Sequence, residues 1–177
     1  MDQSATLTQP VSAQDHAQGP ADAPLTLVEY GDYQCPYCGA AYPVVKHLQQ
    51  TLGKKLRFVF RNFPLTQVHP YALIAAQAAE AAALQGKFWE MHDLLFEEQH
   101  LLNPEIIPAW AKRIGLNLKQ FEDDIKQALV ENRIQEDRRS GIRSGVNGTP
   151  TFFINRTRYD GLPDYESLLA ALESELD

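Results

Sequence analysis

The sequence predicts an α/β fold whose mixed core is interrupted by an all-helical insertion. Two apolar, β-branched runs, "LTLVEY" and "LRFVFR", flank a stretch of helical spacing, "PYCGAAYPVVKHLQQTLG". A long middle section then carries helical spacing throughout, and the period of strands returns only in "TFFIN" and "TRYDG". The first two strands could not cover both faces of a sheet, so the late strands are expected to rejoin them instead of building a second domain. With 177 residues, 44% of them hydrophobic, the chain can bury one sizeable core.

Residues 1–20, rich in Gln, Ser, Ala and Asp, are expected to form a loose, flexible arm. They lack the basic start and apolar core of a secretory leader, which points to a cytoplasmic chain, a mature periplasmic or exported form being the alternative. Leu25 to Tyr30 reads as a buried strand between Pro24 and Gly31, with Glu29 as an unexpected carboxylate inside it. Pro36 suits the first position of the following helix and Gly53 its end, so Cys35 falls at the N-terminus. Pro43 lies within that helix and should kink it. Leu56 to Arg61 is the second strand.

The insertion is expected over 66–145, within a core domain made of 21–65 and 146–177. It opens with "HPYALIAAQAAEAAALQG", Pro70 near its start and Gly86 past its end; "KFWEMHDLLFEEQ" follows, and Asn103-Pro104 opens a helix closed by Gly115. Asn117 with Gln120 resembles a capping box before "FEDDIKQALV", and a further amphipathic stretch reaches Gly141 or Gly145. The strand pair turns at Asn155-Arg156, and "PDYESLLAALESEL" closes the chain as a helix.

A net charge of -7 argues against a phosphate-binding surface, so no nucleic-acid partner is expected. The most apolar stretch, "YALIAAQAAEAAAL", is broken by Gln77 and Glu80, and no membrane insertion is expected. Attention therefore falls on Cys35 and Cys38, the only two cysteines, spaced C-x-x-C. Structural zinc would need four ligands, and His16, His47, His69, His92 and His100 show no paired spacing that could complete a set.

The redox reading has a mechanism. Unsatisfied backbone donors and the positive helix end stabilise a thiolate, lowering the Cys35 pKa from its free value of about 8.5. Cys35 would attack a substrate disulfide, and Cys38, one turn further in, would resolve the mixed disulfide. Pro36 restricts the loop, and Tyr37 adds bulk without positive charge. Glu29, if buried, would have a raised pKa and take the proton from Cys38; on an edge strand it would simply be solvated. Thr149-Pro150 precedes an apolar strand and reads either as a cis peptide that lets Thr149 pair with an extended peptide or as an ordinary trans proline.

Together Glu29, the C-P-Y-C motif at Cys35 to Cys38, Pro43 and Thr149-Pro150 resemble the thioredoxin superfamily and, within it, the DsbA-like thiol:disulfide oxidoreductases. The resemblance covers about residues 21–177 and implies a thioredoxin fold with an all-helical insertion, Cys35 as nucleophile, Cys38 as resolving thiol, and a cis Pro150 beside them. Strongly oxidising secreted members have histidine where this chain has Tyr37, and C-P-Y-C is also the glutaredoxin motif. The direction of electron flow therefore stays open. The implied activity is disulfide exchange with protein substrates, without metal or organic cofactor, served by a redox recycling partner. A glutathione-dependent, glutaredoxin-like reductase, with or without an iron–sulfur cluster, and a peptide-binding chaperone-like module are the alternatives. Arg61 is a candidate to neutralise Glu29 in the core, or else a surface residue.

Overall fold

The computed structural model describes residues 5–177. Its sheet has the order β1-β3-β2-β4-β5, formed by β1 (His16–Gln18), β2 (Leu25–Gly31), β3 (Leu56–Asn62), β4 (Thr151–Ile154) and β5 (Thr157–Tyr159). β2 and β3 are parallel, joined by the crossover helix α1 (Pro36–Leu52), while β1, β4 and β5 pair antiparallel to their neighbours. The late strands thus rejoin the early pair, as the sequence pattern requires. The turn between β4 and β5 rests on Asn155, whose φ of 55 lies in the left-handed region that asparagine tolerates.

Alternation along the central strands divides the molecule into two layers. Leu25, Leu27, Phe58, Phe60, Phe152 and Ile154 belong to one apolar cluster with α1 and residues of several further helices, among them α2 (Ala72–Ala83), α3 (Phe88–Glu97) and α7 (Tyr165–Ser174). Val28, Tyr30, Val59, Phe63 and Phe153 belong to a second cluster with Leu7 and Val146. Each large apolar side chain withdrawn from water in these layers contributes about 1.5–3 kcal/mol. Between α3 and the return strands lie α4 (Ile107–Arg113), α5 (Leu118–Asp124) and α6 (Ala128–Arg143). No helix among the described residues is long and apolar enough to cross a membrane.

Three expectations need correction. Residues 5–18 are not a loose arm. Leu7 is buried, its N–H donates to the Arg156 carbonyl, and β1 pairs with β3. Polar composition concealed this because the segment is held by backbone bonds and one buried leucine; residues 1–4 lie outside the described residues. The stretch after Asn117 is two helices rather than one. Asn117 does cap α5, accepting from the Gln120 N–H at 2.9 Å, but its own N–H donates to Gln85 instead of completing a box, and the chain turns at 125–127 before α6. α6 also runs through Gly141 and gives way only at Gly145, whose φ is +84. Gly141 belongs inside it because a Cβ there would stand 2.8 Å from the Phe63 ring and 3.0 Å from Tyr30. The absent side chain lets α6 lie close on the sheet.

Arg61 does not neutralise Glu29. In the β2–β3 register Glu29 stands opposite Phe60 and Arg61 opposite Tyr30, so the two ionisable residues project from opposite faces. Arg61 is nevertheless no surface residue, being 2% exposed.

Candidate active site

The loop from β2 enters α1 through Asp32, Tyr33 and Gln34, with Cys35 as the N-cap residue and Pro36 at the helix start. Pro43 sits inside the helix, on its exposed side. Cys35 and Cys38 are both free thiols, 2% and 0% exposed, packed in the α1 layer of the core. The solvent-facing part of the motif is Pro36 and Tyr37, the latter 73% exposed. The Thr149–Pro150 peptide is cis, and the half-buried Thr149 reaches the motif directly: the Cys35 thiol lies 3.6 Å from the Thr149 carbonyl oxygen. A cleft of about 280 Å³ beside Pro150 is lined by Asn147, Thr151, Arg158 and Tyr159, among others.

The thiols are driven apart in acidity. Hydrogen bonding to Cys38 does most to lower the Cys35 pKa to about 5, against the opposing effect of burial, and Thr149 and the Cys38 and Tyr37 backbone add to the lowering. Burial pushes the Cys38 thiol well above its ordinary value, reinforced by its hydrogen bond with Cys35 and the charge of Glu29. Glu29 lies in a central strand and is 2% exposed. Burial raises its pKa to about 8, and the charge of Cys35 adds to the shift. Its Oε1 has no hydrogen-bond partner among the described residues. Gly31 leaves room for the Phe60 ring and this carboxylate, since a Cβ there would stand 2.5 Å from the ring and 3.1 Å from that same oxygen.

Aromatic side chains pack around this region. Tyr33 packs against Phe60 and Phe96, and its hydroxyl is 2.9 Å from His92 Nδ1. Burial holds the His92 pKa well below its ordinary value, so the ring is neutral and accepts from Tyr33. Among the described residues no group of three or more His, Cys, Asp or Glu side chains is placed to hold a metal ion.

Two residues not singled out from the sequence also hold the motif. Asp32 Oδ1 accepts from the N–H groups of Gln34 and Cys35, at 2.8 and 3.2 Å. An aspartate three residues before a helix cap is a turn signal that could have been read. Gln99, from the middle of the insertion just past α3, donates to the carbonyls of Tyr33 and Cys35 at 2.8 and 2.9 Å and lies against Gly39. Nothing local in the sequence announces that contact.

A family model described as thioredoxin matches residues 12–174. The chain is similar to the Na(+)/H(+) antiporter NhaA 1 of Salinispora arenicola, 49% identical over 160 residues that cover 90% of this chain and 24% of that protein. The chain spans about a quarter of the length of the curated relatives it matches. Among solved structures it resembles a thioredoxin-like oxidoreductase from Silicibacter pomeroyi, with a TM-score of 0.83, 28% identity and 92% of each chain covered. It also superposes on the thiol-disulfide exchange protein alpha-DsbA2 from Wolbachia pipientis, with a TM-score of 0.81, 24% identity and coverage of 92% of this chain and 88% of that one, a likeness of fold.

The likeness to the DsbA branch overturns the expected cytoplasmic location. That branch consists of extracytoplasmic enzymes, so the periplasmic or exported alternative is favoured. An oxidising compartment also suits a cysteine pair that cycles through a disulfide. The polar start on which the expectation rested carries no such information.

Proposed function

Because the chain belongs to the thioredoxin family as a DsbA-like member carrying the cysteine pair of disulfide exchange, we propose that it exchanges disulfides with protein substrates through Cys35-Pro36-Tyr37-Cys38. The observation that carries this reading is the opposed acidity of two thiols on one helical turn, Cys35 lowered to about 5 and Cys38 raised. In the oxidising direction a substrate thiolate attacks Cys35 Sγ of the enzyme disulfide. The Cys35–Cys38 bond breaks, a bond from substrate to Cys35 forms, and Cys38 leaves as a thiolate that takes a proton from Glu29. A second substrate thiolate then attacks the first substrate sulfur and releases Cys35 as a thiolate. One substrate disulfide has formed and the enzyme disulfide has become a dithiol, so the electron pair balances.

A leaving thiol of low pKa leaves faster, and a stabilised thiolate favours the reduced enzyme, so the oxidising direction is the favoured one. Pro36, Tyr37, Thr149 and Pro150 form the rim on which the substrate lies, with residues 21–65 and 146–177 as the exchange domain and 66–145 as a helical cover. A recycling partner would restore the disulfide. The glutathione-dependent reading uses the same sulfurs and rim, since the Thr149 edge beside Cys35 can receive a tripeptide as well as a protein segment.

The test is the equilibrium of the Cys35/Cys38 pair in defined glutathione buffers, together with oxidation of a reduced, unfolded protein substrate. A potential near about -120 mV with protein oxidation that is lost in Cys35→Ser is the expected result. A potential near about -270 mV would make the protein a reductant, and turnover of glutathione substrates without protein oxidation would replace this reading by the glutathione-dependent one.

A further inference from the structure

Asp32 does more at the motif than cap a turn. Its side chain is fully buried and accepts four hydrogen bonds, two on each oxygen. Oδ1 takes the N–H groups of Gln34 and Cys35; Oδ2 takes the Leu65 N–H at 2.9 Å and His69 Nδ1 at 2.8 Å. A carboxylate held at four points fixes the residue that bears it, and the backbone N–H of that residue points at Cys38 Sγ, 3.5 Å away. Glu29 gives or takes the Cys38 proton and so changes its own charge during the step; the charge on sulfur also calls for a donor that stays fixed. The Asp32 N–H supplies that donor, and hydrogen bonds to charged acceptors are about twice as strong as neutral ones.

We propose that Asp32 is the positioning residue of the resolving step: its four-point anchor holds its own N–H against Cys38 Sγ and so stabilises the thiolate through which Cys38 attacks and leaves. The inference rests on the assignment of Cys35 as nucleophile and Cys38 as resolving thiol. It separates the two thiols, because the Cys35 N–H bound by Asp32 does not face the Cys35 sulfur's incoming substrate, whereas the Asp32 N–H faces the Cys38 sulfur directly.

A single-turnover experiment reads the two steps apart. The reduced protein is mixed with an aromatic bis(nitrobenzoate) disulfide. Attack by Cys35 forms a mixed disulfide and releases one coloured thiolate; attack by Cys38 forms the Cys35–Cys38 disulfide and releases the second. In Asp32→Ala the second release is expected to slow about tenfold more than the first, the scale of one lost hydrogen bond in a transition state. Asp32→Asn, which retains an oxygen for Gln34 and Cys35, should lie between Ala and wild type, and His69→Ala, which removes one of four anchors, should slow the second release least. These two variants carry the test if Asp32→Ala does not fold. Equal slowing of both releases, or no slowing of either, would overturn the role. The Cys38→Ser control separates the proposal from its premise: Cys35 alone should release one thiolate and stop at the mixed disulfide, and if it releases none the assignment of Cys35 as nucleophile fails, and with it the premise, whatever Asp32 does.

Discussion

Glu29 and Arg61 are both charged, both 2% exposed, and sit on adjacent strands, yet the protein treats them in opposite ways. Arg61 is saturated. Its Nε and Nη2 donate to the Asp15 carboxylate at 2.9 and 3.1 Å, and its Nη1 donates to the Gln9 carbonyl at 3.0 Å and the Tyr30 hydroxyl at 2.8 Å. Tyr30 in turn donates to Ser140, which donates to the Asp137 carbonyl. Glu29 has, among the described residues, an oxygen without a partner, and a pKa of about 8. A buried charge that is fully paired has one stable protonation state and serves the fold; one left unpaired has two accessible states near neutral pH and can serve a reaction.

The contrast can be broken most sharply on the Arg61 side. Arg61→Ala leaves Asp15 buried without its partner, and a loss of about 3–5 kcal/mol is expected in urea unfolding, while the folded fraction keeps its rate of disulfide exchange. Glu29→Gln should do the reverse. Glu29 has a folded pKa of about 8 against an ordinary 4.5, so between those values the folded state holds a proton that the unfolded state has released. Stability contributed by that group is full below pH 4.5 and declines by up to about 1.4 kcal/mol per pH unit as pH rises towards 8. The variant should lose this decline and unfold at higher urea than wild type at pH 8, yet resolve mixed disulfides more slowly. A smaller effect, about 1 kcal/mol, is expected for Tyr30→Phe, which removes one link of the Arg61 chain and leaves the charge paired. A Tyr30→Phe protein with a changed exchange rate would show that the two faces are not independent.

Much of this arrangement was legible in the sequence. The strand–helix–strand opening, the helical insertion and the placing of Cys35 at a helix start followed from spacing alone, and Glu29 stood out as a carboxylate in an apolar strand. What local pattern could not supply was pairing over distance. The Arg61–Asp15 bond joins β3 to the segment before β1, and the contacts of Gln99 and His69 with the cysteine turn come from the insertion. Charge alone offers Arg61 as a partner for Glu29 or as a surface residue; the alternation of side chains in registered strands rules out the first and burial the second. Polar composition hides the order of residues 5–18 for a related reason: that order comes from bonds to strands that lie far along the chain.

That segment has a consequence for handling the protein. Leu7 and its neighbours bond to the outer side of the β4–β5 hairpin, through Leu7 to Arg156 and Arg158 to Ala5, and β1 then lies along the outer side of β3. One short stretch therefore seals both rims of the remaining sheet. A version trimmed at residue 20, where composition invites a cut, would present two bare rows of amides and carbonyls to any other copy in solution, and association rim to rim would follow from an edit that touches neither cysteine.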